Sequence, residues 1–183
     1  LRNADAAMYA AKQNGRNTFM FYVASDRDDT PDQPRLEDQL RRALEDDELS
    51  LQYQPVVDAR SQRVVGVEAL LRWNSKVLGE IDPLRFIPVA EAQGTIVAIG
   101  EWVLRMSCEQ MFRWHADYAD HDISLNVNVS SKQISGGHIV SSVKRALALS
   151  GLPASFLELE VTENLIIEQG LESMEVLNQL TEL

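Results

Sequence analysis

The residues best suited to chemistry lie in a β-branched, apolar run at residues 64–73, VVGVEALLRW. Glu68 interrupts this run, and Arg72 follows four residues later. An ionised carboxylate in a low-dielectric interior is costly unless it has a partner. The residues alone leave two alternatives open. Either Glu68 pairs with Arg72 on one side of a strand, or Glu68 belongs to a metal or phosphate site at a strand end.

Two later stretches place polar side chains in the same alternating way. In residues 124–130 (SLNVNVS) every second residue is polar and Asn128 is one of them, and in residues 157–163 (LELEVTE) Glu160 is one. A half-exposed antiparallel strand shows this pattern too. If helices cover the outer face of the sheet, however, the polar row points inward, and in a (β/α) barrel it meets at the C-terminal strand ends. Glu68, Asn128 and Glu160 would then offer hard oxygen ligands, which suit Mg²⁺ or Mn²⁺ rather than zinc.

The elements that must position these residues are predicted from hydrophobic periodicity. Two strands joined by a short polar turn favour an antiparallel hairpin, and the later alternation of helices and strands implies parallel strands with crossover helices. The sequence predicts strands at 49–57, 64–71, 123–129 and 156–162, a loop at 74–82, and helices at 36–46, 83–93 (interrupted at Pro88), 95–116 (capped by Thr95), 139–149 and from 170 onward.

Composition and charge exclude several classes of protein. Hydrophobic residues make up 45% and charged residues 25% of the 183 positions, which is typical of a soluble globular protein. No apolar run is long enough to cross a membrane, no signal peptide opens the chain, and Cys108 is its one cysteine, so we expect a cytoplasmic protein without an internal disulfide. The net charge of −11 argues against nucleic-acid polymers and anionic membranes as partners, although cations or local arginines could still hold an anionic ligand.

Residues 36–183 resemble the N-terminal half or more of an EAL domain, the cyclic-di-GMP phosphodiesterase module of bacteria. The resemblance implies an α/β fold, a partial TIM-like (β/α) barrel of EAL type with an antiparallel first hairpin. It is carried by YQPVVD (53–58), VVGVEALLRW (64–73), PLRFIPVAEAQG (83–94), IGEWVL (99–104), NVNVSSKQ (126–133), SGLP (150–153) and LELEVTEN (157–164).

The same resemblance implies roles for particular side chains. Glu68, Asn128 and Glu160 would be ligands of Mg²⁺ or Mn²⁺, and the two glutamates would thereby be catalytic. Glu163 would anchor the loop that follows its strand rather than bind the metal. A second set would contact the dinucleotide, Arg72 through a phosphate: Gln54, Leu70 and Arg72.

The function implied for the parent protein is metal-dependent hydrolysis of cyclic-di-GMP to linear pGpG. The alternative is a non-catalytic cyclic-di-GMP receptor or regulatory module. The family's D-D-F-G-T-G stretch, catalytic lysine and general-base glutamate do not occur in the 183 residues, so we expect the chain alone to be inactive. The resemblance also allows a homodimer that forms through the EAL domain.

The first residues carry a second resemblance. The stretch ADAAMYAAKQNGRN (4–17) is similar to the last helix of GGDEF domains, in which Lys12 and Arg16 would lie near the nucleotide phosphates. A solvated helix end that carries two cations explains the same residues without a ligand. We therefore expect a GGDEF remnant at 1–23, a polar linker at 24–35, ASDRDDTPDQPR, and an EAL domain truncated at its C-terminus at 36–183.

Overall fold

The computed structural model describes residues 33–118, 123–161 and 174–183 of the chain. The chain divides into two compact units, Leu1–Arg35 and Leu36–Leu183, and the elements below belong to the second unit apart from the first turn of the first helix. The interpretations that concern Lys12, Arg16 and Glu163 lie outside the described residues.

The described residues form a mixed α/β arrangement of helices and short strands. A 3₁₀ turn at Ala154–Phe156 precedes the last strand, and residues 174–181 are helical. The remaining elements are, in chain order, α1 (Gln33–Arg42), β1 (Leu49–Val57), β2 (Val64–Ser75), β3 (Gly79–Ile81), α2 (Pro83–Gln93), α3 (Ile96–Asp117), β4 (Ser124–Val129), α4 (Ser131–Ser135), α5 (Ile139–Ser150) and β5 (Leu157–Val161).

The strands form one sheet in the order β1-β2-β4-β5, with β3 paired to β2. The hairpin β1–β2 is antiparallel, whereas β2–β4 and β4–β5 are parallel. The predicted antiparallel hairpin and the predicted parallel strands are therefore confirmed. The parallel pairs need connections that return along the sheet, and α2, α3 and α5 lie in those connections.

The two faces of the sheet differ in character. The strand residues that are buried in the hydrophobic core are all odd-numbered and pack with apolar residues of the helices, whereas the even-numbered residues of the central strands point to the other face. The core members of the strands are Leu49, Val67, Ala69, Trp73, Ile81, Leu125, Val127 and Val129. Their helical neighbours include Leu40, Phe86, Ile99, Leu104, Met111, Ile134 and Val143. The helices thus cover one face and leave the polar, even-numbered face to the site described below.

Within the described ranges, no helix combines the length and the apolar character needed to cross a membrane.

The predicted loop at 74–82 is wrong, because β2 continues to Ser75 and β3 pairs back onto it. The hydroxyl of Ser75 accepts hydrogen bonds from the backbone N–H groups of Val77 and Leu78, each at 3.3 Å, and so closes the turn. Ile81 brings a buried side chain into the core at the end of β3. A three-residue strand held by a side-chain-stabilised turn is too short for a periodicity argument to detect.

The predicted interruption at Pro88 is also wrong, since α2 is continuous through this residue. A proline inside a helix removes one backbone hydrogen bond and normally kinks it. Here both helix ends are fixed, by the Asp82 carboxylate, which accepts a backbone N–H at 2.9 Å, and by Gly94 in the left-handed conformation. Phe86 and Ala90 on either side of the proline are fully buried, so packing outweighs the lost bond.

Thr95 immediately precedes α3, as predicted, but its side chain makes no capping hydrogen bond. Its backbone is already helical, and its hydroxyl donates instead to the carbonyl oxygen of Ala90 at 3.3 Å. A further short helix, α4, escaped prediction although its start carries a capping box. The hydroxyl of Ser130 accepts from the Lys132 N–H at 3.2 Å, and the Gln133 side chain accepts from the Ser130 N–H at 3.0 Å.

Gly100 in α3 lies directly against this capping box. A Cβ atom on Gly100 would fall 2.0 Å from Nε2 and 2.6 Å from Cδ of Gln133. The Gln133 side chain cannot simply swing away, because it is buried and holds the backbone of Ser130. The motifs IGEWVL and NVNVSSKQ are therefore coupled by a close approach that needs a residue without a side chain.

We expect Gly100→Ala to lower the free energy of unfolding by roughly 1–2 kcal/mol. Overpacking costs about 1–3 kcal/mol, and the better helix propensity of alanine offsets up to about 1 kcal/mol of it. Urea unfolding followed by circular dichroism measures the change. In a Gln133→Ala background the same substitution should be neutral or stabilising, because the atoms it would strike are gone. An equal loss in both backgrounds would contradict this contact.

Candidate functional site

The even-numbered face of the sheet gathers the polar residues of three neighbouring strands. Glu68 of β2 lies opposite Asn126 of β4, and Asn126 lies opposite Glu158 of β5. One step further along the parallel strands, Asn128 lies opposite Glu160. The amide and carboxylate side chains of these strands therefore share one face, opposite the face that packs on the helices.

Two hydrogen bonds connect the strands across this face. Asn128 Nδ2 donates to Glu68 Oε1, and Asn126 Nδ2 donates to Glu160 Oε1, both at 2.7 Å. Both bonds are diagonal: Glu68 lies opposite Asn126 but accepts from Asn128, and Asn126 lies opposite Glu158 but donates to Glu160. The partner of Glu68 is thus Asn128 rather than Arg72, so the structure does not show the ion-pair alternative.

The positions of these residues along their strands are similar. Asn128 and Glu160 are each the next-to-last residue of a strand. Glu68 lies inside the longer strand β2, but it is next to last in the part of β2 that pairs with β4. Glu68, Asn128 and Glu160 therefore stand near the C-terminal limit of the parallel pairing.

The residues expected to contact a dinucleotide lie on the same face. Gln54 of β1 is directly opposite Glu68, and Leu70 is two residues further along β2. Arg72 Nε donates to Gln52 Oε1 at 2.9 Å, and its Nη1 donates to the carbonyl oxygen of Leu71 at 2.9 Å. These two bonds fix the guanidinium four residues along β2 from Glu68.

Sequence reasoning missed two members of this group, Gln52 and Asn126, as site residues. Both follow the same alternation as the predicted residues, so the period of two already placed them on the correct face. The alternation does not reveal which side chains these two residues contact. In the structure, Gln52 binds the guanidinium of Arg72, and Asn126 binds the carboxylate of Glu160.

The donor set fits a hard divalent cation. Glu68 is half-buried, whereas Asn128 and Glu160 are exposed, so their oxygens are open to solvent. In the described ranges no three or more His, Cys, Asp or Glu side chains come together. The described residues thus offer two carboxylates and one amide oxygen, a set in which Mg²⁺ or Mn²⁺ would keep several waters. Because Asn128 uses its amide nitrogen on Glu68, its amide oxygen is the atom suited to a cation.

Two titratable groups on the other side of the sheet belong to the core. Burial raises the pKa of Cys108 to about 12, with a smaller contribution from the charge of Glu109. Burial also raises the pKa of Tyr53 to about 12, and the nearby Cys108 adds to this shift. Neither group ionises near neutral pH, which argues against a nucleophilic role for either.

The chain is similar to curated proteins along nearly its whole length. It is 44% identical over 179 residues to MucR of Pseudomonas aeruginosa, named a bifunctional diguanylate cyclase/cyclic di-GMP phosphodiesterase, covering 98% of this chain and 26% of MucR. It is 36% identical over 184 residues to the cyclic di-GMP phosphodiesterase NbdA of the same species, covering 100% of this chain and 23% of NbdA. The chain therefore spans about a quarter of the length of these relatives.

Solved structures and family membership agree with these relatives. The fold is similar to that of the MucR phosphodiesterase in a complex with c-di-GMP, with a TM-score of 0.76 and 42% identity over 81% of this chain and 60% of that one. It is also similar to the EAL enzyme Bd1971 bound to cAMP and cyclic-di-GMP, with a TM-score of 0.75 and 26% identity over 86% of this chain and 43% of that one. Residues 37–183 match the EAL domain, and the chain belongs to this family.

Proposed function

We propose that the protein containing this chain hydrolyses cyclic-di-GMP to linear pGpG and so acts in bacterial second-messenger signalling. The observation that carries the proposal is the polar face on which Glu68 and Glu160 are each held by an amide N–H at 2.7 Å, with Arg72 further along β2. The names of MucR and NbdA, both phosphodiesterases, support it.

The cofactor proposed for this face is Mg²⁺ or Mn²⁺. Glu68, Glu160 and the amide oxygen of Asn128 would hold it, because they are oxygen ligands on neighbouring strands. When bound, such an ion neutralises charge on a phosphoryl oxygen and lowers the pKa of coordinated water. The protein's own contribution is orientation, since each carboxylate already accepts a hydrogen bond before any ion arrives.

Arg72 is the proposed phosphate-binding residue. A guanidinium presents a planar set of donors that match phosphate oxygens, and it stays charged at all relevant pH values. With a net charge of −11, the chain needs such a local cation to accept an anionic dinucleotide. Gln52 keeps the guanidinium on the polar face, where Gln54 and Leu70 would flank the ligand.

We expect Arg72→Ala to weaken cyclic-di-GMP binding about 10–100-fold, the value of one or two hydrogen bonds to a charged group at about 1.5–3 kcal/mol. Gln52→Ala should weaken it by less, because the guanidinium remains but is less well fixed. Calorimetric titration of the purified protein measures both. Arg60→Ala is the matched control, since Arg60 is an exposed arginine in the turn between β1 and β2. If Arg60→Ala and Arg72→Ala weaken cyclic-di-GMP binding equally, the effect comes from the net charge of the chain, and Arg72 is not a specific phosphate contact.

The direct test of the proposed activity is incubation of the purified full-length protein that contains this chain with cyclic-di-GMP and Mn²⁺, followed by chromatography. Water must add to one phosphorus while one P–O ester bond breaks, so a single product, pGpG, is expected. Tight binding without pGpG would favour the receptor or regulatory alternative. The absence of both cyclic-di-GMP binding and pGpG formation would contradict both proposed functions.

The proposed domain organisation follows the sequence. We propose a GGDEF remnant at 1–23, a linker at 24–35 whose last three residues already begin α1, and an EAL-type, TIM-like partial barrel at 36–183. Support for the remnant comes from the ADAAMYAAKQNGRN motif and from the bifunctional relative MucR, whose alignment covers 98% of the chain. Support for the barrel comes from the parallel pairs β2–β4 and β4–β5, with helices on one face of the sheet.

A further inference from the structure

Asn126 occupies the centre of the polar face but has no role among the proposed ligands. It lies on β4 between Glu68 of β2 and Glu158 of β5, which are its direct neighbours in the sheet. Its amide nitrogen donates to neither of them. It reaches diagonally to Glu160 Oε1 at 2.7 Å, across 34 positions of sequence. Asn126 thus connects the middle strand to the carboxylate on β5.

A second, longer contact supports the orientation of the Asn126 amide. Ser124, two residues earlier on the same face, donates its hydroxyl hydrogen to Asn126 Oδ1 at 3.4 Å. Because the oxygen of the amide accepts this bond, the nitrogen is the atom that turns to Glu160. A flipped amide would place an oxygen against the carboxylate oxygen, which is repulsive.

Space for the Ser124 hydroxyl is provided by the neighbouring strand. Gly66 of β2 lies opposite Ser124, and a Cβ atom on Gly66 would fall 2.7 Å from Ser124 Oγ and 3.2 Å from its backbone oxygen. Any larger residue would displace the hydroxyl or separate the strands. The glycine of VVGVEALLRW is therefore tied to the arrangement around Asn126.

We infer that Asn126 is a positioning residue that holds the Glu160 carboxylate ready for a divalent cation, with Ser124 and Gly66 behind it. Glu160 is exposed, so without this bond its side chain would sample several rotamers and would lose that freedom on binding an ion. Partners that orient a ligating carboxylate are worth about 10–100-fold in metal affinity. The inference takes the identity of the ligand, a divalent cation, from the proposed function. The hydrogen bonds themselves are independent of that function.

The first test measures Mn²⁺ binding to the purified protein by electron paramagnetic resonance, without substrate. Asn126→Leu should weaken binding about tenfold, and Ser124→Ala should weaken it by a smaller factor in the same direction. Ser50→Ala is the control, because Ser50 lies on the same face but opposite Arg72. Unchanged affinity in both Asn126→Leu and Ser124→Ala would overturn the inference. Should Asn126→Leu fail to fold, Ser124→Ala alone decides.

The second test needs no metal. The side-chain amide signals of Asn126 in an ¹⁵N-correlated NMR spectrum should shift in Glu160→Ala, because its hydrogen-bond acceptor is lost. They should move less in Glu158→Ala, although Glu158 is the residue directly opposite. The reverse result would overturn the inference. A wild-type protein that binds no Mn²⁺ but shows the Glu160-dependent shift would contradict the proposed metal site and leave the positioning contact intact, so the two failures are distinguishable.

Discussion

Replacement of Glu68 by alanine, in the full-length protein that contains this chain, is expected to reduce cyclic-di-GMP hydrolysis by a factor on the order of 10²–10³. A catalytic metal supplies several kcal/mol of charge stabilisation, and each 1.36 kcal/mol is about tenfold in rate. Glu68 is half-buried, and its Oε1 atom is the acceptor for Asn128. Alanine therefore removes one proposed ligand, and it also removes the acceptor that orients the amide of a second proposed ligand, Asn128.

The control for this experiment is Glu158→Ala. Glu158 lies on the same face as Glu160, two residues earlier in β5. The Glu158→Ala substitution removes the same charge as Glu68→Ala but removes no proposed ligand. Its rate of pGpG formation should stay near that of the wild type. Dinucleotide binding through Arg72 should survive in both variants, which separates loss of chemistry from loss of folding. A Glu68→Ala protein that makes pGpG at the wild-type rate would exclude Glu68 as a metal ligand.

Which residues share the polar face could be predicted, because it depends only on local geometry. Side chains alternate between faces in any strand, so the pattern alone predicts one polar face for Glu68, Asn128 and Glu160. The antiparallel hairpin was predictable for the same kind of reason, since a six-residue turn leaves no room for a crossover.

The pairing of individual side chains could not be predicted. Glu68 lies opposite Asn126 but bonds to Asn128, and Asn126 bonds to Glu160 rather than to Glu158. These diagonal choices depend on the relative stagger and twist of the strands, which result from packing of the whole sheet. The continuity of α2 at Pro88 has a similar origin, because tertiary packing there overrides a local preference.

A second large effect is expected at Glu48, a carboxylate that sequence reasoning did not single out. It is 6% exposed and lies just before β1. Its Oε2 accepts from the Trp73 indole Nε1 at 3.0 Å, and its Oε1 accepts from the Lys76 backbone N–H at 2.9 Å. The carbonyl oxygen of Glu48 also accepts from the Asn74 N–H at 3.0 Å. One residue therefore ties the start of β1 to the end of β2.

We expect Glu48→Ala to lower the free energy of unfolding by roughly 2–4 kcal/mol. Each buried donor left without its acceptor costs about 1–3 kcal/mol, and the Trp73 side chain is fully buried. Thermal and urea unfolding measure the loss. Glu45→Ala is the matched control, because Glu45 is exposed and three residues earlier in the chain. Equal stability of the two variants would contradict this role for Glu48.

The same carboxylate should make stability depend on pH. Burial by itself raises the pKa of Glu48, but the hydrogen bonds from Trp73, the Lys76 backbone and Ser75 outweigh burial and hold the pKa below its usual value of 4.5. A pKa lower in the folded than in the unfolded state gives stability that is complete above the unfolded value and is lost as pH falls through the folded value. Wild-type stability should therefore decrease on acidification below about pH 4.5, whereas Glu48→Gln, which cannot ionise, should start lower and decrease less. If acid destabilises wild type and Glu48→Gln equally, the Glu48 carboxylate is not a source of the pH dependence.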